Sequence, residues 1–445
     1  MSKKFLFGLV LILLWGAVPV AAQDGSSGGD MLLSVFEHDD YGAAVAYNSQ
    51  AQEFLVVWSH QGNIYGQRYN VQGAPQGENF VISNAPNGKY NPAVAYSLPT
   101  DSYLVAWEDH RGQDYDIYGQ FVDADGGLLD NPTTPEDETD PAVNFAVYTG
   151  NGNQESVDLA FDGDEYLVVW QGNYQDDSVD VLGRFVDDDG TVEPTIFPIG
   201  TADTLPYGDP AVAYNTTEGE YLVVYRYGDG NDAEIRARRV GPSGTLPGDE
   251  YPIAAQPDAA DPDVAAAAWG AYVVVWSDGR AGGQGDDVYG QVVFSGTDNS
   301  FDGGNFVIAS AFRDQLEPAI ALTPSSGQFL VVWRDGRGDV TSSWDLYGQR
   351  LQADVNLEGP NFVISSAAGD QYCPALAASQ SPDIYFVAWE DYRSGAYDLY
   401  GQRVAWTGAL LWYEFGISAQ PESQVMPSVA YNPDDDQYLA VWKDG

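Results

Sequence analysis

Phe329-Leu330-Val331-Val332-Trp333-Arg334-Asp335-Gly336-Arg337 is the stretch that decides the fold. Its opening five residues recur, with small variations, in eight copies ending at Trp58, Trp107, Trp170, Tyr225, Trp276, Trp333, Trp389 and Trp442. The separations are 49, 63, 55, 51, 57, 56 and 53 residues, so one supersecondary unit is repeated. A repeated residue builds the repeat. Function is expected where the copies differ.

Each unit has four parts in constant order. Part A is a short apolar stretch, usually opened by proline, such as Pro92-Ala-Val-Ala-Tyr96 or Pro318-Ala-Ile-Ala-Leu322. Part B is the Leu-Val-Val-Trp run, apolar on consecutive residues as in a strand buried on both faces. Part C is typified by Leu346-Tyr-Gly-Gln-Arg-Leu351, and part D by Phe362-Val-Ile-Ser365. Gly, Asp, Asn and Pro clusters between them supply tight turns. No long amphipathic helix is expected between Asp30 and Gly445. Four antiparallel strands per 55 residues predict an all-β protein, a β-propeller, because tandem β-sandwiches need roughly 100 residues per copy.

Counting gives eight A, eight B, eight D and seven C parts. Leu32 to Phe36 reads as an isolated D strand before the first A, and the chain stops after an eighth A and B. The expectation is therefore an eight-bladed ring with an incomplete last blade. Leu32 to Phe36 would form the outer strand beside Trp442, the C position would be empty, and the domain over residues 32–445 would be cut short at its C-terminus. Pairing the two ends removes exposed strand edges.

Met1 to Ala22 has the form of a signal peptide: Lys3-Lys4, an apolar run from Phe5 to Trp15, and Val20-Ala21-Ala22 as cleavage site. Gln23 to Met31 reads as a flexible leader. A secreted or cell-surface protein is expected, with no later stretch able to span a bilayer. Cys373 is the only cysteine, so no intramolecular disulfide exists; beside Pro374 it reads as a buried thiol. The net charge of −48, from 66 acidic and 18 basic residues, repels nucleic acid and anionic membranes. Aspartates concentrated in turns point modestly to divalent cations, calcium above all.

Strand alternation places the B-to-C loops on the usual ligand face of a propeller. These loops carry Asp109 with Arg111, Asp278 with Arg280, Asp335 with Arg337 and Asp391 with Arg393, and each is followed by an aspartate before the C strand, at Asp116, Asp287, Asp345 and Asp398. One reading makes each pair a turn cap and ion pair. The other joins the aspartates, with Asp444, in an acidic ring for calcium or a polyhydroxylated ligand. Tyr115, Trp344, Tyr392 and Tyr397 are placed to stack on sugar rings beside them. On the opposite face Asp123, Asp125, Asp187 and Asp189 resemble fragments of calcium loops without the full spacing or closing Glu; Asp-Gly hairpin turns are the better explanation of them.

The Trp-x-Asp-x-Arg and Asp-x-Tyr-Gly-Gln-Arg units resemble β-propeller-like repeats of large exported and cell-surface bacterial proteins. The resemblance covers nearly the whole mature chain and implies a non-catalytic binding or structural role; it brings no active-site residues. The units around Trp170 and Tyr225 depart from it, with Val181-Leu-Gly-Arg-Phe-Val186 and Ile235-Arg-Ala-Arg-Arg-Val240 as C strands, and an acidic insertion spans Asp130 to Asp140. A private function of one sector is expected there if anywhere.

Catalytic signatures are thin. His38, His60 and His110 have no zinc-site spacing, and carboxylate pairs for glycoside hydrolysis are too numerous to choose among. Arg337-Gly338-Asp339 matches an adhesion tripeptide made of common turn residues. Three roles follow: an adhesion-type module binding an extracellular glycan or protein, a spacer in a longer exported protein, or a polysaccharide hydrolase or lyase. The binding module is the primary expectation, with no catalytic residues and no cofactor besides calcium.

Overall fold

The computed structural model describes residues 10–15, 31–32, 40–70, 74–129, 144–174, 178–201, 206–228, 230–280, 285–294, 301–323, 325–338, 343–379, 383–418, 423–433 and 437–444. The signal-peptide cleavage site, the leader before Met31, the insertion after Asp130, and Asp339 lie outside them.

The described chain is a β-propeller. Seven blades are complete, each an antiparallel A-B-C-D sheet made from consecutive strands. Blade 6 is representative: Gln315–Leu322, Phe329–Asp335, Asp345–Leu351 and Leu357–Ser365. In blade 2 the D position is split between Leu128–Leu129 and Phe145–Tyr148, on either side of the insertion, both paired with Asp116–Asp123. The propeller thus has seven such blades, where an eight-bladed ring with an incomplete last blade was expected.

An eighth sheet follows, with Gln424–Asn432 as its A strand and Gln437–Asp444 as its B strand. Val10–Trp15 pairs along Gln437–Asp444, and Met31–Leu32 pairs outside that strand. Val10–Trp15 belongs to the apolar run of the expected signal peptide, so removal of that peptide would leave the C position open. Of the outer strand expected at Leu32 to Phe36 only Leu32 is described as paired, while residues 33–39 lie outside the described set.

Each A strand packs on the A strand of the next blade, and the last packs on the first, so the A strands surround the axis. The tryptophans lock neighbouring blades together, as their doubly apolar strands predict. Trp333 lies with Val273 and Val275 of the preceding blade, and Trp389 with Leu330 and Val332. Trp58 lies with Leu439 and Val441, which closes the circle. All seven tryptophans at this position are fully buried. The glycine of the C strand makes room for a ring. A Cβ at Gly290 would stand 2.5 Å from Phe306, and one at Gly66 2.7 Å from Phe80, so the space belongs to the phenylalanine of the D strand. The tryptophan stacks instead on the preceding tyrosine, as in Trp333–Tyr347 at 6.5 Å and Trp58–Tyr65 at 5.9 Å.

A second regular feature shapes the inner rim. In every blade the A strand carries a bulge at a residue with positive φ: Gly42, Asn91, Ser156, Asp209, Asp261, Glu317, Cys373 and Met426. Seven of the eight are not glycine, and each stores strain of roughly 1–2 kcal/mol. Bulges of this kind re-aim side chains and cluster at functional rims.

Candidate functional site at the inner rim

The Trp-x-Asp-x-Arg loop builds outward from its carboxylate. Trp333 Nε1 donates to Asp335 Oδ2 at 2.7 Å; the Arg337 backbone N–H donates to Oδ1 and its Nε to Oδ2, both at 2.8 Å. Arg337 then lies over the Tyr347 ring, 4.2 Å from its centre, and donates to Asn361 Oδ1. Asn361 in turn donates to Gln349 and to the Ile308 carbonyl of the preceding blade. Trp107-Asp109-Arg111 with Asn144 and Trp276-Asp278-Arg280 with Asn305 repeat the chain of contacts. In blade 7 Glu414 replaces the asparagine and accepts from Arg393. These four aspartates have no solvent exposure.

The structure therefore gives Asp109, Asp278, Asp335 and Asp391 the turn-capping, ion-pairing role, and it does not bring them into a ring. Each is paired across its own sheet with the aspartate before the C strand, Asp335 with Asp345 for example. Burial, and then the charge of Asp335, pushes the Asp345 carboxyl up to about 6. The Asp444 side chain lies outside the described set. In blade 1 the aspartate position is His60, and Trp58 Nε1 is buried without a hydrogen-bond partner among the described residues.

On the opposite face the turn reading of the aspartates is what the contacts display. Asp123 Oδ1 accepts the backbone N–H of Asp125 and Gly127, and Asp189 Oδ1 that of Thr191. The Asp187 backbone closes its hairpin with Thr191 and Gly190. Asp125 stands exposed, 3.8 Å from Arg68. Among the described residues no group of three or more His, Cys, Asp or Glu is arranged to hold a metal ion.

Sequence reasoning missed the residue between Trp and Asp. Its side chain meets the A-strand bulges in several blades, Glu108 at Asn91 and Ser156, Arg226 at Asp209 and Arg334 at Glu317, and it varies from blade to blade: Ser59, Glu108, Gln171, Arg226, Ser277, Arg334, Glu390 and Lys443. Variation against a constant frame was the available signal. These side chains and the bulge residues form the inner rim. Glu108 accepts from Asn91 and from the bulge N–H of Ser156 in the next blade, and Glu390 accepts the N–H of Met426. Burial raises the carboxyls of both above the usual range.

The rim is most developed where blades 6 and 7 meet. Arg334 pairs with Glu317 at 3.0 Å and lies 4.7 Å from the ring centre of Trp344 and 5.0 Å from that of Tyr372. Its Nε is buried with no hydrogen-bond partner among the described residues. Trp344, Tyr372, Tyr397 and Tyr392 follow one another at 6.4, 6.0 and 5.0 Å, and Tyr392 is 42% exposed. Three of the four aromatics expected from the sequence are thus brought together. The fourth, Tyr115, stacks on His110 at 4.7 Å and meets Tyr90 in blade 2. Cys373 sits in the same rim, half-buried rather than buried, with its N–H donated to Glu317. Burial, then the charge of Glu390, holds its thiol protonated.

No family model and no curated protein matches the chain, so the resemblance to exported bacterial repeats rests on the quoted motifs. Among solved structures the Dos1 propeller is similar over 91% of this chain and 94% of its own, with TM-score 0.51 and 9% identity. The β-propeller domain of the Trilobed protease from Pyrococcus furiosus covers 86% of this chain and all of its own, with TM-score 0.45 and 8% identity. The GH93 α-L-arabinofuranosidase of Fusarium graminearum covers 71% and 94%, with TM-score 0.42 and 11% identity. The first defines the class, a β-propeller of four-stranded blades; the others carry nothing beyond it. No described helix is long and apolar enough to cross a membrane.

Proposed function

We propose that the protein is an exported, non-catalytic β-propeller that binds an extracellular glycan at the inner rim where blades 6 and 7 meet. The observation that carries this reading is the grouping of Trp344, Tyr372, Tyr397 and Tyr392 beside Arg334, whose Nε is buried with no hydrogen-bond partner among the described residues. Aromatic faces take the C–H faces of sugar rings, while Arg334 and Glu390 offer a donor and an acceptor to hydroxyls. The signal-peptide form of Met1 to Ala22 and the likeness to exported repeats support the location. The charge of −48 favours a neutral ligand over an anionic one.

A second reading, a polysaccharide hydrolase, is favoured by one observation: Glu108 and Glu390 are held up by burial, as a general acid requires. A glycan array read for binding, with turnover assayed on the same polysaccharides, separates the two. Binding lost in Trp344→Ala and Arg334→Ala without turnover supports the module. Cleavage abolished by Glu390→Gln assigns a hydrolase, and no binding to any glycan leaves the spacer.

A further inference from the structure

The outer edge of blade 7 departs from its counterparts. In blades 1, 5 and 6 the D strand bulges at a glycine with positive φ, Gly77 at 76°, Gly303 at 68° and Gly359 at 73°. A Cβ built at the first two would meet nothing within 4 Å, and at the third only the tip of Arg350 at 3.7 Å. Blade 7 has Trp412 there, at φ 63°. A bulky residue in the left-handed region is strained, and the blades with glycine show that no cavity calls for the ring. Trp412 is 62% exposed, and Tyr413, where the others have Glu78, Gly304 and Pro360, is 91% exposed. Leu410 and Trp406, in the preceding strand start and turn, add two further exposed apolar groups. Arg403 supports the Trp412 ring from 5.6 Å.

We propose that Trp412 and Tyr413, with Trp406, form a second binding platform, for a neutral polysaccharide. Strain and exposed aromatic area both destabilise the free protein, and a ligand stacked on the rings recovers the exposure. Charge selects the occupant. The carboxylate in the platform strand, Glu414, is tied to Arg393 at 2.7 Å, so the strand offers rings, a phenol and an indole N–H rather than a free charge. The −48 chain around it repels acidic polymers, anionic lipid and a second copy of itself. Sugar rings stacked on aromatic faces, with hydroxyls meeting the Tyr413 and Trp412 polar tips, fit these surroundings.

The platform is independent of the inner-rim site, and the test keeps them apart. Affinity electrophoresis of the full chain in gels containing β-glucan, galactomannan or xylan should show retardation by at least one. Trp412→Gly, which installs the residue used by the other blades, should weaken that retardation by about tenfold without lowering Tm. Tyr413→Ala should weaken it in the same gel, and Arg334→Ala should leave the platform's share intact. Retardation equal to wild type in both Trp412→Gly and Tyr413→Ala overturns the proposal, as does retardation by acidic polysaccharides alone. So does a Trp412-dependent attachment to phosphatidylcholine vesicles in place of polysaccharide.

Discussion

Blade 6 and blade 4 hold the same place in the ring with opposite wiring. In blade 6 the guanidinium comes from the B-to-C loop and the ring beneath it from the C strand, Arg337 over Tyr347. In blade 4 these trade strands: Arg236 of the C strand lies 3.8 Å from the ring centre of Tyr227 at the end of the B strand. The buried aspartate is gone, and Glu250, just before the D strand, accepts from Tyr225 at 3.1 Å, from Tyr207 at 2.9 Å and from Arg236 at 2.6 Å. The contact with the preceding blade survives too. Where Asn361 reaches the Ile308 carbonyl, Arg238 reaches that of Ile199 and, in blade 3, Arg184 reaches that of Val147. A carboxylate joining an aromatic donor to a stacked guanidinium is kept in blades 2 and 4 to 7, whereas in blade 3 Trp170 donates to the Gln154 amide oxygen. The letters are free to move. The departure around Tyr225 is accompanied by this rewiring.

The largest effect tests the shared part of both blades. Trp333→Ala should destabilise the protein by roughly 3–5 kcal/mol in denaturant unfolding, and an unchanged midpoint would mean the ring is not locked through this residue.

Next come the carboxylates, where the two blades can be set side by side. Asp335→Ala leaves the Trp333 N–H and Arg337 without their acceptor and should cost about 2–3 kcal/mol. Glu250→Ala should cost the same order, since it strips acceptors from two tyrosines and Arg236. A neutral Glu250→Ala beside a costly Asp335→Ala would break the equivalence drawn here. Adding Arg337→Ala to Asp335→Ala should cost much less than the separate losses summed.

A smaller effect comes from pH. Asp158 and Asp263 stand on A strands where five others have alanine and the last has Ser428. Each accepts its neighbour's N–H and one from the next blade, Val212 and Ile320 respectively. Burial pushes both up to about 6 from an ordinary 3.8. The folded state therefore keeps protons that the unfolded chain releases, so stability falls as pH rises from about 4 to 6 and levels off above. Melting should be higher at pH 5 than at pH 7, and Asp158→Asn with Asp263→Asn should flatten the slope. A steeper slope in that variant would show the carboxylates favour their charged form.

Cations should give the smallest response. Screening of the net negative charge raises Tm with sodium chloride, whereas a calcium site would act at millimolar calcium beyond matched ionic strength. Coincident curves leave Asp123, Asp125, Asp187 and Asp189 as turn caps.

Much of this was legible in the chain, because period, strand order and the burial of Trp333 and its equivalents follow from apolar patterning, which is local. The pairing of Asp335 with Arg337 was legible for the same reason: two residues apart in a tight loop, they can hardly avoid each other. Blade 4 was not, since the loss of Asp and Arg is visible in sequence whereas the arrival of Glu250, more than twenty residues from Tyr225, is not. Arg334 and Glu390 were not legible, because the inner rim is built from residues that do not repeat and that meet only when the blades pack.

The sequence by itself determined the four-stranded repeat, the tryptophan seams and the acidic surface, all properties of short segments and of composition. Only the tertiary structure decided that the loop aspartates face inward to their arginines and that Trp344, Tyr372 and Tyr397 meet across a blade boundary. Those outcomes depend on distances between segments far apart in the chain, which are set when the blades pack round the axis and not before.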